Sequence, residues 1–168
     1  MNHKELVAKI KPGTKLKIKD VPYTVSQHIV WMQHRANYPY DKWVLVDEKG
    51  YDGYRLFIEA NEPAMGFAKI FHHEFQEPMP DKLNFEGKAY KKVWDEFCTV
   101  ERVEGNGIYK KGDGEIWWDY VSEDNKNEGL SLGRSWETWE REDLKTQCLE
   151  LGDVEITAKS ALPQNMLY

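Results

Sequence analysis

The residues best suited to recognition in this 168-residue chain are aromatic, with seven tryptophans, nine tyrosines and six phenylalanines. Trp117 and Trp118 are adjacent, so on a strand they would face opposite sides of a sheet. Unless both faces are covered, one of the two indoles is partly exposed and can stack on a sugar ring, a peptide or another subunit. Trp117, Trp118 and the nearby Tyr120 are therefore the candidate binding residues.

One serine matches a catalytic motif. Ser131 lies in Gly129-Leu130-Ser131-Leu132-Gly133, which has the letters of a Gly-x-Ser-x-Gly nucleophile elbow. That elbow needs a strand that turns sharply into a helix, and its histidine follows the serine along the chain. No convincing helix follows this segment and no histidine lies beyond Ser131, so a hydrolase is disfavoured. We assign no catalytic residue.

Metal and cofactor chemistry also lacks a sequence signature. The five histidines, at positions 3, 28, 34, 72 and 73, and the two cysteines, Cys98 and Cys148, show no metal-ligand spacing. The segment from Asp124 to Gly129 is similar to a calcium loop, but Lys126 occupies a position that requires an oxygen ligand. No G-x-x-x-x-G-K phosphate loop is present. The sequence therefore indicates neither a metal nor a cofactor, and it predicts reduced thiols.

The charge and hydropathy exclude further classes. With 23 Lys and Arg against 29 Asp and Glu, the formal net charge is −6, which disfavours nucleic-acid binding because a polyanion is repelled. No apolar run approaches the roughly 18 residues of a membrane-spanning helix. The N-terminus is polar, so we expect a cytoplasmic protein that is not membrane-spanning.

The elements that would position these residues are predicted to be strands. Val, Ile, Thr, Phe, Tyr and Trp number 47, against 25 Ala, Leu and Met, and β-branched and aromatic side chains favour sheets. Residues 4–11 predict one short helix that Pro12-Gly13 ends, and the alternating residues 15–19 predict the first strand. Short turns between the later apolar runs indicate antiparallel meanders. The expected fold is mainly β, a compact β sandwich or barrel-like domain with little helix.

Several local features carry expectations of their own. Residues 33–41 predict a loop, and residues 77–81, with two prolines and two acids, predict a linker. The Asp113-Gly114 pair predicts a hairpin turn between a strand containing Ile108 and Tyr109 and a strand from Ile116. Residues 135–142 are open to a capped helix or a strand, and their alternation favours the strand.

The two halves of the chain show similar sequence features in the same order. Three pairs of segments correspond, at offsets of 67, 75 and 76 residues: 18–23 with 85–90, 43–48 with 118–123, and 53–56 with 129–132. Chance agreement among short β segments is the alternative explanation. The sequence thus predicts a single domain over residues 1–168 with an internal repeat, 11–76 and 82–157.

Burial accounts for most of the tryptophans. Each indole removes about 150–250 Å² from water when it is buried, and seven exposed indoles would be an aggregation hazard. We therefore expect most of them in the core, which leaves the adjacent pair Trp117-Trp118 as the functional clue.

A set of short motifs resembles a known family. The motifs are Phe85-x-Gly87-x-x-Tyr90, Val100-x-x-Val103-x-Gly105, Trp117-Trp118-Asp119-Tyr120, Gly129-Leu130-Ser131-Leu132 and Trp139-Glu140. Together with Lys11-Pro12-Gly13 and Tyr23-Thr24-Val25 they resemble the bacterial domain-of-unknown-function family numbered 4178, over roughly residues 10–155. The resemblance implies a β-rich bacterial cytosolic domain with no assigned activity and no catalytic residues.

Two functions follow as expectations. The first is a non-enzymatic protein-interaction or accessory module that binds a protein partner or associates with itself, because aromatic residues are dense and no catalytic set converges. The alternative is small-ligand or sugar binding on a tryptophan platform at Trp117 or Trp118.

Overall fold

The chain opens with one short helix. A computed structural model of the protein describes residues 1–161, and in it helix α1 covers His3–Lys9. Asn2 caps the helix by accepting a hydrogen bond of 2.8 Å from the Glu5 amide, while the Glu5 carboxylate accepts one from the Asn2 amide. The helix predicted before Pro12-Gly13 is therefore present.

The rest of the described chain is dominated by antiparallel strands. They are β1 Lys15–Ile18, β2 Val21–Gln33, β3 Tyr38–Val46, β4 Tyr54–Glu59, β5 Ala64–Phe71, β6 Lys82–Phe85, β7 Lys88–Gly105, β8 Gly114–Ser122, β9 Glu128–Ser135, β10 Arg141–Leu149 and β11 Val154–Ala158. A short 3-10 turn, Leu151–Asp153, precedes the last strand.

Eight of these strands form a closed barrel. Their order is β2-β3-β4-β5-β10-β9-β8-β7, and β7 pairs with β2 to complete the ring. Strands β1 and β11 extend the sheet outside β2, and β6 extends it outside β7. The prediction of a mainly β, antiparallel, barrel-like fold with little helix is confirmed.

The two halves of the barrel follow the same path. In each half a short strand, β1 or β6, forms a hairpin with a long strand, β2 or β7, and three further strands continue the meander. Both hairpins turn through two residues with positive φ, Lys19-Asp20 and Glu86-Gly87, as in a type I′ turn. The segments paired at the three sequence offsets lie on or beside corresponding strands; the internal repeat itself stays a prediction.

Apolar side chains fill one space inside the barrel and two outside it. The inner core includes Ile29, Trp31, Val44, Val100 and Leu144. On one outer side, α1, β1 and β11 cover Trp43, Leu45, Leu56 and Ile58. On another, residues 71–85 contribute Phe71, Phe75, Met79, Leu83 and Phe85, which cover Trp118, Leu130 and Leu132.

The structure corrects four local predictions. Residues 77–81 are not a free linker, because Met79 is buried and Glu77 pairs with Arg134. Residues 135–142 are not one strand, since β9 and β10 are joined there by a turn in which Trp139 has positive φ. The loop predicted at 33–41 is only a tight turn over 34–37. The hairpin at Gly114 does form, but Ile108 and Tyr109 lie in its loop rather than in a strand.

The close contact between Gly133 and Trp117 gives a test of this packing. A methyl group on Gly133 would lie 2.5 Å from Cε3 of the Trp117 ring, so Gly133→Ala should lower the free energy of unfolding by about 1–3 kcal/mol. Gly152, where an added methyl group meets nothing within 4 Å, provides the control, and Gly152→Ala should change stability by less than about 0.5 kcal/mol. Urea denaturation measures both. Equal stabilities for the two variants would contradict this packing.

Candidate ligand-binding site

One end of the barrel interior is hollow. Inward-facing residues such as Phe57, Trp94 and Ser131 keep accessible surface, whereas Leu130 and Leu132, which face outward beside Ser131, are fully covered. On this part of the barrel wall the inward-facing side chains are therefore accessible and the outward-facing ones are buried, the reverse of the usual arrangement. The space measures about 410 Å³ and opens to solvent at the end where the β2–β3, β4–β5 and β8–β9 connections lie.

The cavity wall combines aromatic rings with a few polar groups. The rings belong to Tyr38, Tyr40, Phe57, Trp94 and Trp117. The polar side chains include Gln33, Glu59, Asp119, Ser131 and Thr146. Glu62 and Lys126, from the connections at the open end, and Glu128, at the start of β9, line the same cavity. A mostly aromatic wall with a small number of placed polar groups is typical of small-molecule sites.

A buried ion group lies beneath the cavity. The Lys42 ammonium, which has no exposed surface, donates a 3.0 Å hydrogen bond to Oε2 of Glu142, and Nε of Arg55 donates one of 2.7 Å to Oε1. Burial alone would raise the pKa of Glu142, but the charges of Lys42 and Arg55 outweigh burial and hold that pKa below its usual value. Both oxygens of this buried carboxylate are therefore bonded to a cation away from water.

Aromatic rings surround the same ammonium. Its nitrogen lies 4.5 Å from the ring centroid of Trp117, 4.7 Å from Tyr109, 5.5 Å from Phe57 and 5.6 Å from Trp31. Trp117 and Phe57 also line the cavity. Lys42 and its rings therefore separate the hollow part of the barrel from the filled part.

Tyr109 closes the other end of the barrel. Its hydroxyl accepts a 2.7 Å hydrogen bond from Lys42, and its backbone carbonyl and amide both bond to the side chain of Gln27. Tyr109 is buried although it lies in the β7–β8 loop. Tyr109, which was predicted to lie in a strand, is thus a loop residue that closes this end of the barrel.

Asp119 is the acidic group deepest in the cavity. Its Oδ1 accepts a 2.6 Å hydrogen bond from the Ser131 hydroxyl, and protein surrounds it, yet it keeps some accessible surface because it borders the cavity. Burial raises the pKa of Asp119 to about 6, although the Ser131 hydrogen bond and Lys42 act in the opposite direction. Burial also raises the pKa of Glu59, with Glu62 and Asp119 adding to the rise.

The structure separates the three residues proposed from the sequence. Trp117 lines the cavity, whereas Trp118 packs in the outer core with Leu130 and Leu132. Tyr120 borders the cavity as well, but its ring packs in this outer core and its hydroxyl donates a hydrogen bond to the carbonyl of Pro80. Both faces of this strand are covered, so neither indole of the adjacent pair is exposed at the surface. Trp117 and Tyr120 thus border one cavity, and Trp118 does not.

The other residues considered for chemistry have structural surroundings. Ser131 lies on strand β9 and not on an elbow, and its hydroxyl is bound to Asp119. His28 is buried, stacks on Trp43 and lies 2.7 Å from the Asp41 carboxylate. Within residues 1–161, no three His, Cys, Asp or Glu side chains group closely enough to hold a metal ion. Both cysteines are free thiols.

Little in the sequence indicated Asp119, Glu59 or the Lys42 group. Strands β3 and β8 are covered on both faces, so hydrophobic alternation does not mark the inward positions. The only signal was the placement of Asp119 between Trp118 and Tyr120, an acid among residues expected to be core. Within residues 1–161, no helix is long and apolar enough to cross a membrane.

Comparisons of the chain with protein-family models, curated proteins and solved structures find no match. The resemblance to the family numbered 4178 therefore stays a prediction, and function has to be argued from the cavity and the surface.

Removing the buried carboxylate tests the ion group. Glu142→Gln would leave Lys42 and Arg55 buried beside an uncharged amide, so we expect a loss of about 3–5 kcal/mol in the free energy of unfolding. Glu140→Gln makes the same change on the exposed β9–β10 turn and should cost less than about 0.5 kcal/mol. Chemical denaturation gives both values. A loss below about 1 kcal/mol for Glu142→Gln would show that the ion group contributes little.

Proposed function

We propose that the protein binds a small molecule inside the barrel, in the cavity bounded by Trp117, Trp94 and Asp119. The observation that carries the proposal is the hollow interior itself. Protein interiors are ordinarily packed as densely as organic crystals, whereas here about 410 Å³ is open beside five aromatic rings. That volume lies within the range of small-molecule sites.

An unsatisfied donor on the wall supports the proposal. Trp117 is 2 % exposed, and its indole Nε1 is buried with no hydrogen-bond partner. A buried polar group without a partner costs free energy that a ligand oxygen can recover. Trp43, by contrast, donates its indole N–H to the carbonyl of Ile10, whereas the indole N–H of Trp31 in the inner core is unpartnered as well. Binding at Trp117 corresponds to the alternative function that the sequence suggested, with the indole inside the barrel instead of on a surface platform.

Filling the cavity should abolish binding. The probe is N-phenyl-1-naphthylamine, an uncharged dye that fluoresces more strongly in apolar surroundings. Val121→Trp places an indole in the cavity wall, while the control Val21→Trp adds one at the exposed first residue of β2. We expect saturable fluorescence with the parent protein and the control, and at least about tenfold weaker binding with Val121→Trp, or about 1.4 kcal/mol.

Two results would contradict the proposed function. One is the absence of saturable dye binding to the parent protein. The other is equal binding by Val121→Trp and Val21→Trp, which would place the dye outside the barrel. Far-ultraviolet circular dichroism and urea denaturation confirm that both variants are folded.

A second candidate function is self-association at the closed end of the barrel. Trp136 and Trp139 are 56 % and 63 % exposed there, and the Arg134 guanidinium lies 3.8 Å from the Trp139 ring. Large exposed aromatic groups are typical of protein interfaces. This candidate corresponds to the interaction module expected from the sequence.

The charges at this end favour a second copy as the partner. The β7–β8 loop carries Lys110 and Lys111, and the neighbouring β9–β10 turn carries Glu137 and Glu140. A two-fold contact can place the basic loop of one copy against the acidic turn of the other. The surface is therefore complementary to itself.

Sedimentation equilibrium tests this second candidate. The parent protein should show a concentration-dependent dimer, and replacing Trp136 and Trp139 together by serine should shift it to monomer because the apolar contact is lost. Val21→Ser, on an exposed apolar residue outside this surface, should leave the dimer intact. A parent protein that is monomeric at every concentration would contradict self-association.

A further inference from the structure

We infer that the cavity takes an organic cation: a small protonated amine or quaternary ammonium with an apolar body, its charge held between Asp119 and Glu59. The inference rests on the proposed function and names the chemical class of its ligand. It follows from the positions of the two carboxylates, the charges around them and the aromatic wall.

The two carboxylates come from opposite walls. Glu59 ends β4 and Asp119 lies on β8, and three strands separate β4 from β8 in either direction around the ring. Both side chains line the cavity. Their charges act on each other, because Asp119 contributes to the raised pKa of Glu59. A cation between the two walls would relieve this repulsion.

Within residues 1–161, no positive side chain is bonded to either carboxylate. Four acids line the cavity, Glu59, Glu62, Asp119 and Glu128, against one base, Lys126, from the β8–β9 connection. Glu128 is paired with Lys88 at 2.9 Å, so three of the four acids have no such partner in the described part of the chain. Lys42 lies below the cavity and is bound to Glu142 and Tyr109. The cavity charge thus disfavours an anionic ligand and leaves the carboxylate of Asp119 without a bonded counter-ion.

The aromatic wall suits the same ligand. An ammonium within about 6 Å of an aromatic ring centroid is attracted by the ring, and apolar groups pack on the remaining ring faces. The barrel already holds one ammonium in this way, since Lys42 lies 4.5 Å from the Trp117 centroid. Trp117 also borders the cavity, so its ring forms part of the wall that the ligand contacts.

Three compounds of one shape and different charge test the inference. They are 2-phenylethylamine, 2-phenylethanol and phenylacetate, measured by displacement of N-phenyl-1-naphthylamine from the full chain. We expect the amine to bind at least about tenfold more tightly than the alcohol, and the carboxylate to bind most weakly. Asp119→Asn should remove most of the preference for the amine and leave the alcohol within about twofold. Asp124→Asn, which removes the same charge from the exposed β8–β9 connection, should change neither.

The pH dependence adds a separate readout. Only an ionised Asp119 attracts an ammonium, so the affinity for the amine should fall as the pH is lowered through about 6, the pKa to which burial raises this group. The groups coupled to Asp119 are Lys42 and Tyr40 from β3, Glu59 from β4, Cys98 from β7 and Ser131 from β9. In Asp119→Asn, the fall near this pH should become smaller, because Glu59 is then the only one of the two carboxylates that titrates.

The outcomes separate this inference from the proposed function. Saturable dye binding with no preference for the amine, including no displacement by any of the three compounds, would overturn the cation inference and leave the cavity as a binding site. No dye binding and no compound binding would overturn both. A preference for the amine that survives in both Asp119→Asn and Glu59→Gln would also overturn the inference, because the charge would then be held elsewhere.

Discussion

The pairing of β2 with β7 is the constraint on which the structure depends. It joins the first strand of each four-stranded meander, residues about seventy positions apart, and with the β5–β10 pairing it closes the ring, which gives every strand an inside and an outside. Without this pairing the sheet would expose the edges of two long strands. An eight-stranded barrel has an interior that side chains can just fill or that can hold one small ligand. This chain does both, in different halves of the same interior.

The boundary between the two halves is electrostatic as well as steric. Lys42, Arg55 and Glu142 form a buried group in which one carboxylate is bonded to two cations, and Tyr109 closes the barrel beneath them. Above them, Asp119 has a serine as its bonded partner and, within residues 1–161, no bonded counter-ion. The carboxylate of the filled half is thus paired, while the hollow half carries acidic groups that a ligand can neutralise.

The sequence predicted the class of fold because composition and alternation act locally. Leu16 and Ile18 alternate with lysines, and β1 forms there. It could not predict the cavity, because closure depends on a long-range pairing and β3 and β8 are covered on both faces. Trp117 and Trp118 show this limit of sequence-based prediction. Both are buried, because residues 71–85, part of which was predicted to be a linker, cover the outer face of β8. Trp139 was assigned to a strand because its neighbours alternate, yet its positive φ places it in a turn, a conformation that large residues seldom adopt.

The indole N–H signals in a ¹H–¹⁵N correlation spectrum test the central claim most directly, because each tryptophan reports a different place in the fold. On titration with 2-phenylethylamine, the signals of Trp117 and Trp94 should shift, because both rings border the cavity. The signals of Trp43, bonded to Ile10, and of the exposed Trp136 and Trp139 should stay in place. Shifts confined to Trp136 and Trp139 would contradict a binding site inside the barrel.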